Sequence, residues 1–218
     1  MKKDFWLERW ERKEIGFHQN ETNPYLRQHW PELNLTNGGK VFVPLCGKSL
    51  DLLWLGEHGY SVIGVEISSI AVNSFFTEND IQPTHISHNN FENYEAQNIK
   101  IMCGDFFDLE KVDLANIDTV YDRASLVALP PEMRERYVRH LVNILPPKTQ
   151  ILLITFDYPQ DEMSGPPFAV SVNEVKSFFA KYAEVRLLAQ HDAMALNPRF
   201  KERGLSRIHE NVFLISLN

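Results

Sequence analysis

The chain has 218 residues, of which 44% are hydrophobic and 23% are charged, and its formal net charge is −7. This length suits one α/β domain with additions, and the negative charge argues against a nucleic-acid partner, because phosphate binding needs clustered Lys and Arg. The N-terminus does not resemble a secretory signal and no apolar run is long enough to span a membrane, so we expect a cytoplasmic protein.

The N-terminal segment is predicted to be helical. Trp6 and Trp10 are four residues apart, which places both indoles on one face of a helix predicted over 4–14. A second helix is predicted from Pro24 to Trp30, and residues 34–39 are predicted to form a loop. We therefore expect residues 1–39 to form a helical lid over the site of an α/β core that spans 40–218.

From residue 40 onward, predicted strands alternate with predicted helices. The strands cover 41–44, 61–66, 99–103, 118–122 and 150–156, and the helices cover 49–57, 68–78, 131–144 and 172–181. The polar tract 82–98 is predicted to be a long loop, with a short ordered piece within it as the alternative, and 184–190 with 210–217 a closing antiparallel pair. This order predicts one domain built on a doubly wound, mostly parallel seven-stranded sheet with an antiparallel edge strand, a Rossmann-like class whose ligands bind at the carboxyl ends of the strands.

The first predicted strand leads into a turn that contains one glycine. The run from Lys40 breaks at Pro44, turns through Gly47 and enters a helix for which Ser49 is the candidate cap. The next strand ends in Glu66, a carboxylate able to accept hydrogen bonds from both hydroxyls of a ribose. A solvated glutamate that caps the following helix is the alternative.

The other strand ends supply further candidates. Asp105 and Phe106 follow the third core strand, where an adenine ring would lie, although Asp105 would equally suit a plain turn. Asp122 and Arg123 follow the fourth strand, where the arginine could contact a substrate or a cofactor carboxylate, or pair with the aspartate. The turn 165–168 (Gly-Pro-Pro-Phe) could wall the site, or merely break a loop.

Several classes of site are disfavoured. Cys46 and Cys103 do not have the spacing of a zinc motif, and His85 with His88 lacks a third ligand, so no metal is expected. The phosphate loop of NTPases and the nucleophile elbow of hydrolases are absent. A turn with one glycine is also short of the three that a dinucleotide pyrophosphate needs, so S-adenosylmethionine, which carries no phosphate, is favoured over a nicotinamide dinucleotide.

Five segments together resemble the bacterial thiopurine S-methyltransferases. They are Val-Pro-Leu-Cys-Gly-Lys-Ser at 43–49, Gly-Val-Glu-Ile-Ser at 64–68, Cys-Gly-Asp-Phe-Phe-Asp-Leu at 103–109, Tyr-Asp-Arg-Ala-Ser-Leu-Val-Ala at 121–128 and Gly-Pro-Pro-Phe at 165–168. The resemblance extends back to Trp6, Trp10, Phe17 and His18, and so covers almost the whole chain. Residues 191–207 do not match the family clearly, which leaves the methyl acceptor open.

The resemblance implies a class I methyltransferase fold and specific roles for residues. S-adenosylmethionine would be held by Trp6, Trp10, Leu45, Glu66, Asp105, Phe106 and Arg123. The acceptor pocket would be bounded by Phe17, Arg123, Pro166, Pro167 and Phe168. Activity on small thiols is implied, with detoxification of selenium and tellurium species as a further role. A monomer is expected because nothing in the sequence demands a protein partner.

The implied chemistry is an in-line transfer of a methyl group from a sulfonium to an aromatic thiol. Because charge disappears in this step, a dry pocket favours it, and the protein contributes mainly orientation. No certain catalytic residue is expected, although Asp122 could assist deprotonation and Arg123 could orient the acceptor. A nicotinamide-dependent oxidoreductase and a non-catalytic S-adenosylmethionine-binding module are the alternatives.

Overall fold

The structure, a computed structural model, describes residues 3–33, 35, 38–196 and 199–218. Its helices are α1 (Lys3–Glu11), α2 (Pro24–His29), α3 (Asp51–Glu57), α4 (Ser69–Glu78), α5 (Pro131–Ile144), α6 (Val172–Phe179), α7 (Ala193–Leu196) and α8 (Arg199–Glu202). Its strands are β1 (Lys40–Val43), β2 (Ser61–Glu66), β3 (Thr84–His88), β4 (Phe91–Ala96), β5 (Ile99–Cys103), β6 (Thr119–Arg123), β7 (Gln150–Asp157), β8 (Ala183–Asp192) and β9 (His209–Leu217). Within the described ranges, no helix is long and apolar enough to cross a membrane.

The strands form one sheet in the order β3-β4-β5-β2-β1-β6-β7-β9-β8. Strands β5, β2, β1, β6 and β7 run parallel, and β9 is antiparallel to both β7 and β8. Successive strands after β1 are laid down first on one side of it and then on the other. The crevice at this reversal, between β1 and β6, is where open α/β sheets bind their ligands. The predicted fold class and the closing antiparallel pair are confirmed.

Helices cover both faces of the sheet. On one face, α2, α3 and α4 pack through residues such as Leu26, Leu52 and Phe75, which are fully buried. On the other face, α5 and α6 pack with residues such as Leu141 and Val175. The central strands are therefore buried on both sides, which explains their continuous apolar sequences.

The tract 82–98 is not a loop, so that prediction is wrong. It contains β3 and β4, an antiparallel hairpin that pairs with β5 and raises the strand count to nine in the described chain. The hairpin is at the sheet edge, and every residue of β3 is exposed. A strand exposed on both faces, such as β3, needs no apolar alternation. Strand β4 does alternate between buried and exposed residues, but one of its buried positions is the polar Asn93, so its sequence gave no strand signal.

The helix boundaries differ slightly from the predicted ones. Helix α3 begins at Asp51, and its N-cap residue is Leu50 without a side-chain cap. Ser49, the predicted cap, instead accepts a hydrogen bond from the Asp51 N–H at 3.2 Å. Ser68 does cap α4, where its Oγ accepts from the Ala71 N–H at 3.3 Å. Of the predicted loop 34–39, residues 34, 36 and 37 are outside the described residues.

Candidate active site

A cavity of about 570 Å³ lies at the carboxyl ends of the parallel strands. Its lining comes from α1 and the following turn, from α2, and from the ends of β1, β2, β6, β7 and β9. The sequence-predicted residues in that lining are Trp6, Trp10, Phe17, Leu45, Glu66, Arg123, Pro166 and Pro167. The fold thus brings together residues from both ends of the chain at the sheet reversal.

The turn after β1 forms the floor of the cavity. Leu45 and Gly47 have positive φ angles of 44° and 54°, and the Cys46 N–H donates to the carbonyl of Val65 at 2.9 Å. A Cβ at Gly47 would lie 3.3 Å from Cζ2 of Trp10. The turn therefore needs glycine both for its backbone conformation and for the close approach of α1.

Cys46 is buried under this turn. Its Sγ would meet a Cβ at Gly64 of β2 at 2.7 Å, so the glycine in the strand makes room for the thiol. Burial raises the pKa of Cys46 well above its ordinary value, and the nearby carboxylate of Glu66 adds to that shift. A protonated, buried thiol is a packing residue and not a nucleophile.

Glu66 ends β2 with a carboxylate that is only 6% exposed. Oε2 accepts from the Gly47 N–H at 2.9 Å, and Oε1 accepts from the Ser68 N–H at 2.8 Å. Burial raises its pKa to about 6, although these backbone donors act in the opposite direction. The carboxylate fixes the glycine turn against β2, and an ionised carboxylate retains further lone pairs for a ribose diol.

Helix α1 contributes an aromatic cover. The ring of Phe17 makes edge-to-face contacts with Trp6 and Trp10, at centroid distances of 5.5 and 5.6 Å. Trp10 is 5% exposed because it packs on the glycine turn, whereas Trp6 is partly exposed at the cavity edge. The indole spacing expected from the sequence thus places both tryptophans over the cavity.

Asp105 and Phe106 are not in the cavity lining. The Asp105 carboxylate pairs with Lys3 of α1 at 2.9 Å and caps a short 3-10 turn through the Phe107 N–H at 2.9 Å. Phe106 is 2% exposed and packs in the core against Phe42 and Tyr137. Contact of these two side chains with a cofactor remains a prediction. For Asp105 to make that contact, its ion pair with Lys3 would have to rearrange.

Arg123 lines the cavity, but Asp122 does not. Neighbouring residues of a strand point to opposite faces, and Asp122 points toward α5. There its Oδ2 accepts from the Tyr137 hydroxyl at 2.7 Å and its Oδ1 accepts from the Leu126 N–H at 3.2 Å. Burial raises its pKa to about 6. The ion pair between the two neighbours, considered from the sequence, is not formed, and Asp122 is poorly placed to act on an acceptor.

The turn 165–168 lines the cavity with two of its four residues. Pro166 and Pro167 line the cavity, whereas the ring of Phe168 covers Gly165 and faces Arg134, whose Cζ is 5.8 Å from the ring centroid. The Phe168 N–H also donates to the carbonyl of Val127 at 2.7 Å. Phe168 therefore anchors the wall from behind.

Other lining residues were not predicted. The segment 191–207, which the sequence left open, contributes Ala193, Phe200 and Arg203, and β7 contributes Phe156. Further polar lining residues include Tyr25, Asp51, Tyr121 and Glu210. Tyr121 is the first residue of the segment 121–128 quoted above, whereas Tyr25 and Glu210 are in none of the quoted segments and reach the cavity only through tertiary folding. Residues 197 and 198 are outside the described residues.

Comparison with known proteins gives the family. The family model for thiopurine S-methyltransferase matches residues 1–217. The chain belongs to the thiopurine S-methyltransferase family. The thiopurine S-methyltransferase of Nitrosospira multiformis is 59% identical over 215 residues, which are 99% of this chain and 98% of that protein. The enzyme of the same name from Azotobacter vinelandii is 49% identical over 213 residues, 98% of each chain.

Solved structures agree on the fold. An S-adenosylmethionine-dependent methyltransferase from Anabaena variabilis superposes with a TM-score of 0.66 at 14% identity, covering 99% of this chain and 95% of the other. A Burkholderia thailandensis 1,6-didemethyltoxoflavin N1-methyltransferase, solved with its substrate and S-adenosylhomocysteine, gives 0.65 at 13% identity, covering 99% and 87%. This family member is thus an S-adenosylmethionine-dependent methyltransferase, and not the oxidoreductase considered as an alternative.

The cavity suits that methyl donor, which supplies an electrophilic methyl group on a sulfonium. The floor turn has one glycine and lacks the glycine-rich loop that binds a pyrophosphate, so it suits a nucleoside without phosphate groups. Glu66 presents a buried carboxylate beside this floor, and Trp10 closes it from above. Across the described residues, no group of three or more metal-ligating side chains is found, and His85 instead bonds Glu92 at 2.7 Å.

Proposed function

We propose that this protein transfers the methyl group of S-adenosylmethionine to the sulfur of small aromatic or heteroaromatic thiols. The observation that carries the proposal is the lateral order of the lining. Glu66 is on β2 and Phe156 is on β7, three strands away, with β1 and β6 between them. At roughly 4.8 Å per strand, the cavity has room for a nucleoside on one side and a flat ring on the other.

The residues divide between the two sides. On the donor side, we propose that Trp6, Trp10, Leu45 and Glu66 bind the cofactor, with Asp105 and Phe106 flanking its adenine. On the acceptor side, Phe17, Pro166 and Pro167 would hold the ring between apolar surfaces, with Phe168 fixing the two prolines. Arg123 lies between the two sides and would attract an anionic thiolate.

The lining explains a preference for sulfur. A heteroaromatic thiol that is already ionised near neutral pH needs mainly orientation and exclusion of water from the chain. The lining includes aromatic rings and prolines that suit flat rings. Both relatives compared above are named for the methylation of thiopurines, which supports the same acceptor class here. Selenols would be methylated at the same site, since selenolates ionise still more readily, and this underlies a proposed detoxification role.

The test is turnover with matched nucleophiles. The protein is incubated with methyl-labelled S-adenosylmethionine and either 4-nitrothiophenol or 4-nitrophenol, and the labelled product is extracted. We expect labelled thioether and little labelled ether. Equal or greater transfer to oxygen would contradict the thiol assignment. Binding of S-adenosylhomocysteine without any turnover would instead identify a non-catalytic binding module. Selenophenol in the same assay tests the heavier chalcogen.

A further inference from the structure

Glu210 is a carboxylate without a cation in the wall of the cavity. It is the second residue of β9, and its cross-strand neighbour on β7 is Phe156. Both residues line the cavity. No Lys, Arg or His side chain among those described lies within ion-pairing distance of it. Burial raises its pKa, whereas Tyr25 and Arg123 lower it. A partly buried carboxylate that has no ion-pair partner is costly unless hydrogen bonds from neighbouring groups or from a ligand satisfy it.

The other carboxylates that line the cavity in the described chain already have partners. Glu66 accepts two backbone N–H groups. Asp51 accepts a backbone N–H at 2.7 Å and the hydroxyl of Tyr121 at 3.0 Å. Glu14 pairs with Arg9 at 3.5 Å. Among these four carboxylates, Glu210 is the one that neither a backbone N–H nor a cationic side chain holds in place.

Tyr25 is a polar lining residue that lies near Glu210. Its hydroxyl oxygen is buried and has no partner with good hydrogen-bond geometry in the described structure. Burial raises the pKa of the phenol, and the nearby Glu210 carboxylate raises it further. The ring is held by stacking on His191 at a centroid distance of 4.4 Å. The Tyr25 hydroxyl of α2 and the Glu210 carboxylate of β9 thus lie close enough to shift each other's pKa, and the carboxylate keeps lone pairs that a ligand in the cavity could use.

We propose that Glu210 accepts a hydrogen bond from the ring N–H of a heteroaromatic thione and takes that proton when the sulfur is methylated. This deepens the proposed function and rests on it. Heteroaromatic thiols exist largely as thiones, in which the proton is on a ring nitrogen next to the C=S carbon. Methylation of such a sulfur must release that proton, and Glu210 is the free carboxylate beside the acceptor.

The step balances in atoms and electrons. The thione sulfur forms a bond to the methyl carbon while the sulfonium C–S bond breaks, and that electron pair remains on the donor sulfur. The N–H electron pair restores the aromatic ring, and the proton passes to a carboxylate oxygen of Glu210. The products are a neutral thioether, neutral S-adenosylhomocysteine and a protonated Glu210, which then returns its proton to water.

The test compares two acceptors in the wild type and in Glu210→Gln. One is 2-mercaptopyridine, a thione with a ring N–H, and the other is 4-nitrothiophenol, which is already ionised and has no such proton. General base catalysis is worth roughly 100-fold or more, so kcat/KM for 2-mercaptopyridine should fall about 100-fold. The value for 4-nitrothiophenol should hardly change.

The outcomes separate the two proposals. Equal losses for both acceptors, or no loss for either, would overturn the role of Glu210 while leaving thiol methylation intact. A wild type inactive on both acceptors would overturn the proposed function itself. Calorimetric binding of S-adenosylhomocysteine shows that the variant is folded.

If Glu210→Gln does not fold, the wild-type pH profiles decide. The titratable and charged groups that face Glu210 are Tyr25 on α2, Tyr121 and Arg123 on β6, and His191 on β8. These groups are present in the protein whichever acceptor is used, so their own titration would affect both pH profiles. An acid-side loss of kcat/KM that is present with 2-mercaptopyridine and absent with 4-nitrothiophenol supports Glu210 as the proton acceptor. Identical profiles would contradict it.

Discussion

At the scale of single residues, two buried carboxylates at the strand ends have different roles. Glu66 and Asp122 both have a pKa of about 6 because burial disfavours their charged forms. Glu66 lines the cavity, whereas Asp122 fixes β6 to α5 through Tyr137. A shifted pKa alone therefore does not distinguish a ligand-binding group from a structural one.

Substitution of Glu66 should weaken cofactor binding. Hydrogen bonds to a charged carboxylate contribute about 1.5–3 kcal/mol, so Glu66→Ala should raise the Kd for S-adenosylhomocysteine by roughly 10–100-fold. The matched control is Glu57→Ala, which removes an exposed glutamate on α3. Isothermal titration calorimetry measures both values. Equal affinities in the two variants would remove Glu66 from the cofactor site.

Asp122 should make stability depend on pH. Its folded pKa of about 6 is above the ordinary value of 3.8, so the native state binds more protons between these pH values. The free energy of unfolding should therefore fall as pH rises from 4 to 6, by about 3 kcal/mol from this group. Asp122→Asn should flatten that part of the urea-unfolding profile, leaving the contribution of Glu66.

The control for Asp122 is Asp161→Asn, which removes one exposed carboxylate and the same charge. It should leave the pH profile of unfolding as it is in the wild type. A profile that keeps its full slope in Asp122→Asn would mean that the carboxylate is not protonated in the folded state near pH 5.

At the scale of elements, helix α1 covers the cavity by packing against the glycine turn. Gly47 and Gly59 both have left-handed φ angles, of 54° and 85°. A Cβ at Gly59 would meet nothing within 4 Å, whereas one at Gly47 would press on Trp10 at 3.3 Å. Alanine at either position should cost about 1–2 kcal/mol of stability in backbone strain.

Only Gly47→Ala should also weaken binding of S-adenosylhomocysteine, because it displaces the Trp10 ring. Thermal denaturation and calorimetry of the two variants separate strain from displacement. If Gly59→Ala weakened binding to the same extent, the effect would come from strain and not from the position of α1.

The proposed lid should report cofactor binding through its tryptophans. Trp6 and Trp10 line the cavity, whereas Trp54 is outside its lining and stacks on His58 at 3.9 Å. Addition of S-adenosylhomocysteine should change the intrinsic fluorescence of the wild type and of Trp54→Phe. The change should vanish in the double variant with Trp6→Phe and Trp10→Phe. A signal that persists there would mean that α1 does not cover the bound cofactor.

The sequence predicted the site best where a functional residue directly follows a predicted strand. The apolar run of β1, the glycine at 47 and the acid at 66 are each next to a predicted strand, so their convergence follows from the parallel order. Tyr25 and Glu210 lack such a signal, since their proximity depends on how α2 docks against β9. The edge hairpin β3–β4 was missed because every residue of β3 is exposed and one of the buried positions of β4 is the polar Asn93.

At the scale of the whole molecule, one buried arginine connects the acceptor wall to the helical layer. Arg134 of α5 is 2% exposed, its Nε donates to the Leu129 carbonyl at 2.9 Å, and its Nη1 pairs with Glu174 of α6 at 2.6 Å. Its guanidinium also faces Phe168, which anchors Pro166 and Pro167. The shape of the acceptor side therefore depends on an ion pair that does not touch the cavity.

Arg134→Met should consequently affect both stability and acceptor binding. Glu174 is 29% exposed, so the variant leaves a partly solvated charge, and we expect a loss of about 1–3 kcal/mol, which for a chain of this size lowers Tm by roughly 5 °C. At a temperature where the variant is still folded, KM for the thiol should rise while the Kd for S-adenosylhomocysteine stays unchanged, because Arg134 is behind the acceptor wall and far from Glu66 along the sheet.

Arg139→Met on the same helix is the matched control. Its exposed pair with Glu135 at 3.0 Å contributes less than about 1 kcal/mol, so Tm and both binding constants should remain close to those of the wild type. Differential scanning fluorimetry and steady-state kinetics compare the two variants directly. A parallel rise of KM and Kd in Arg134→Met would indicate general loosening of the fold. A rise of KM alone would show that the helical layer positions the acceptor, because Arg134 contacts the acceptor wall through Phe168 whereas the Glu66 carboxylate is held by the glycine turn.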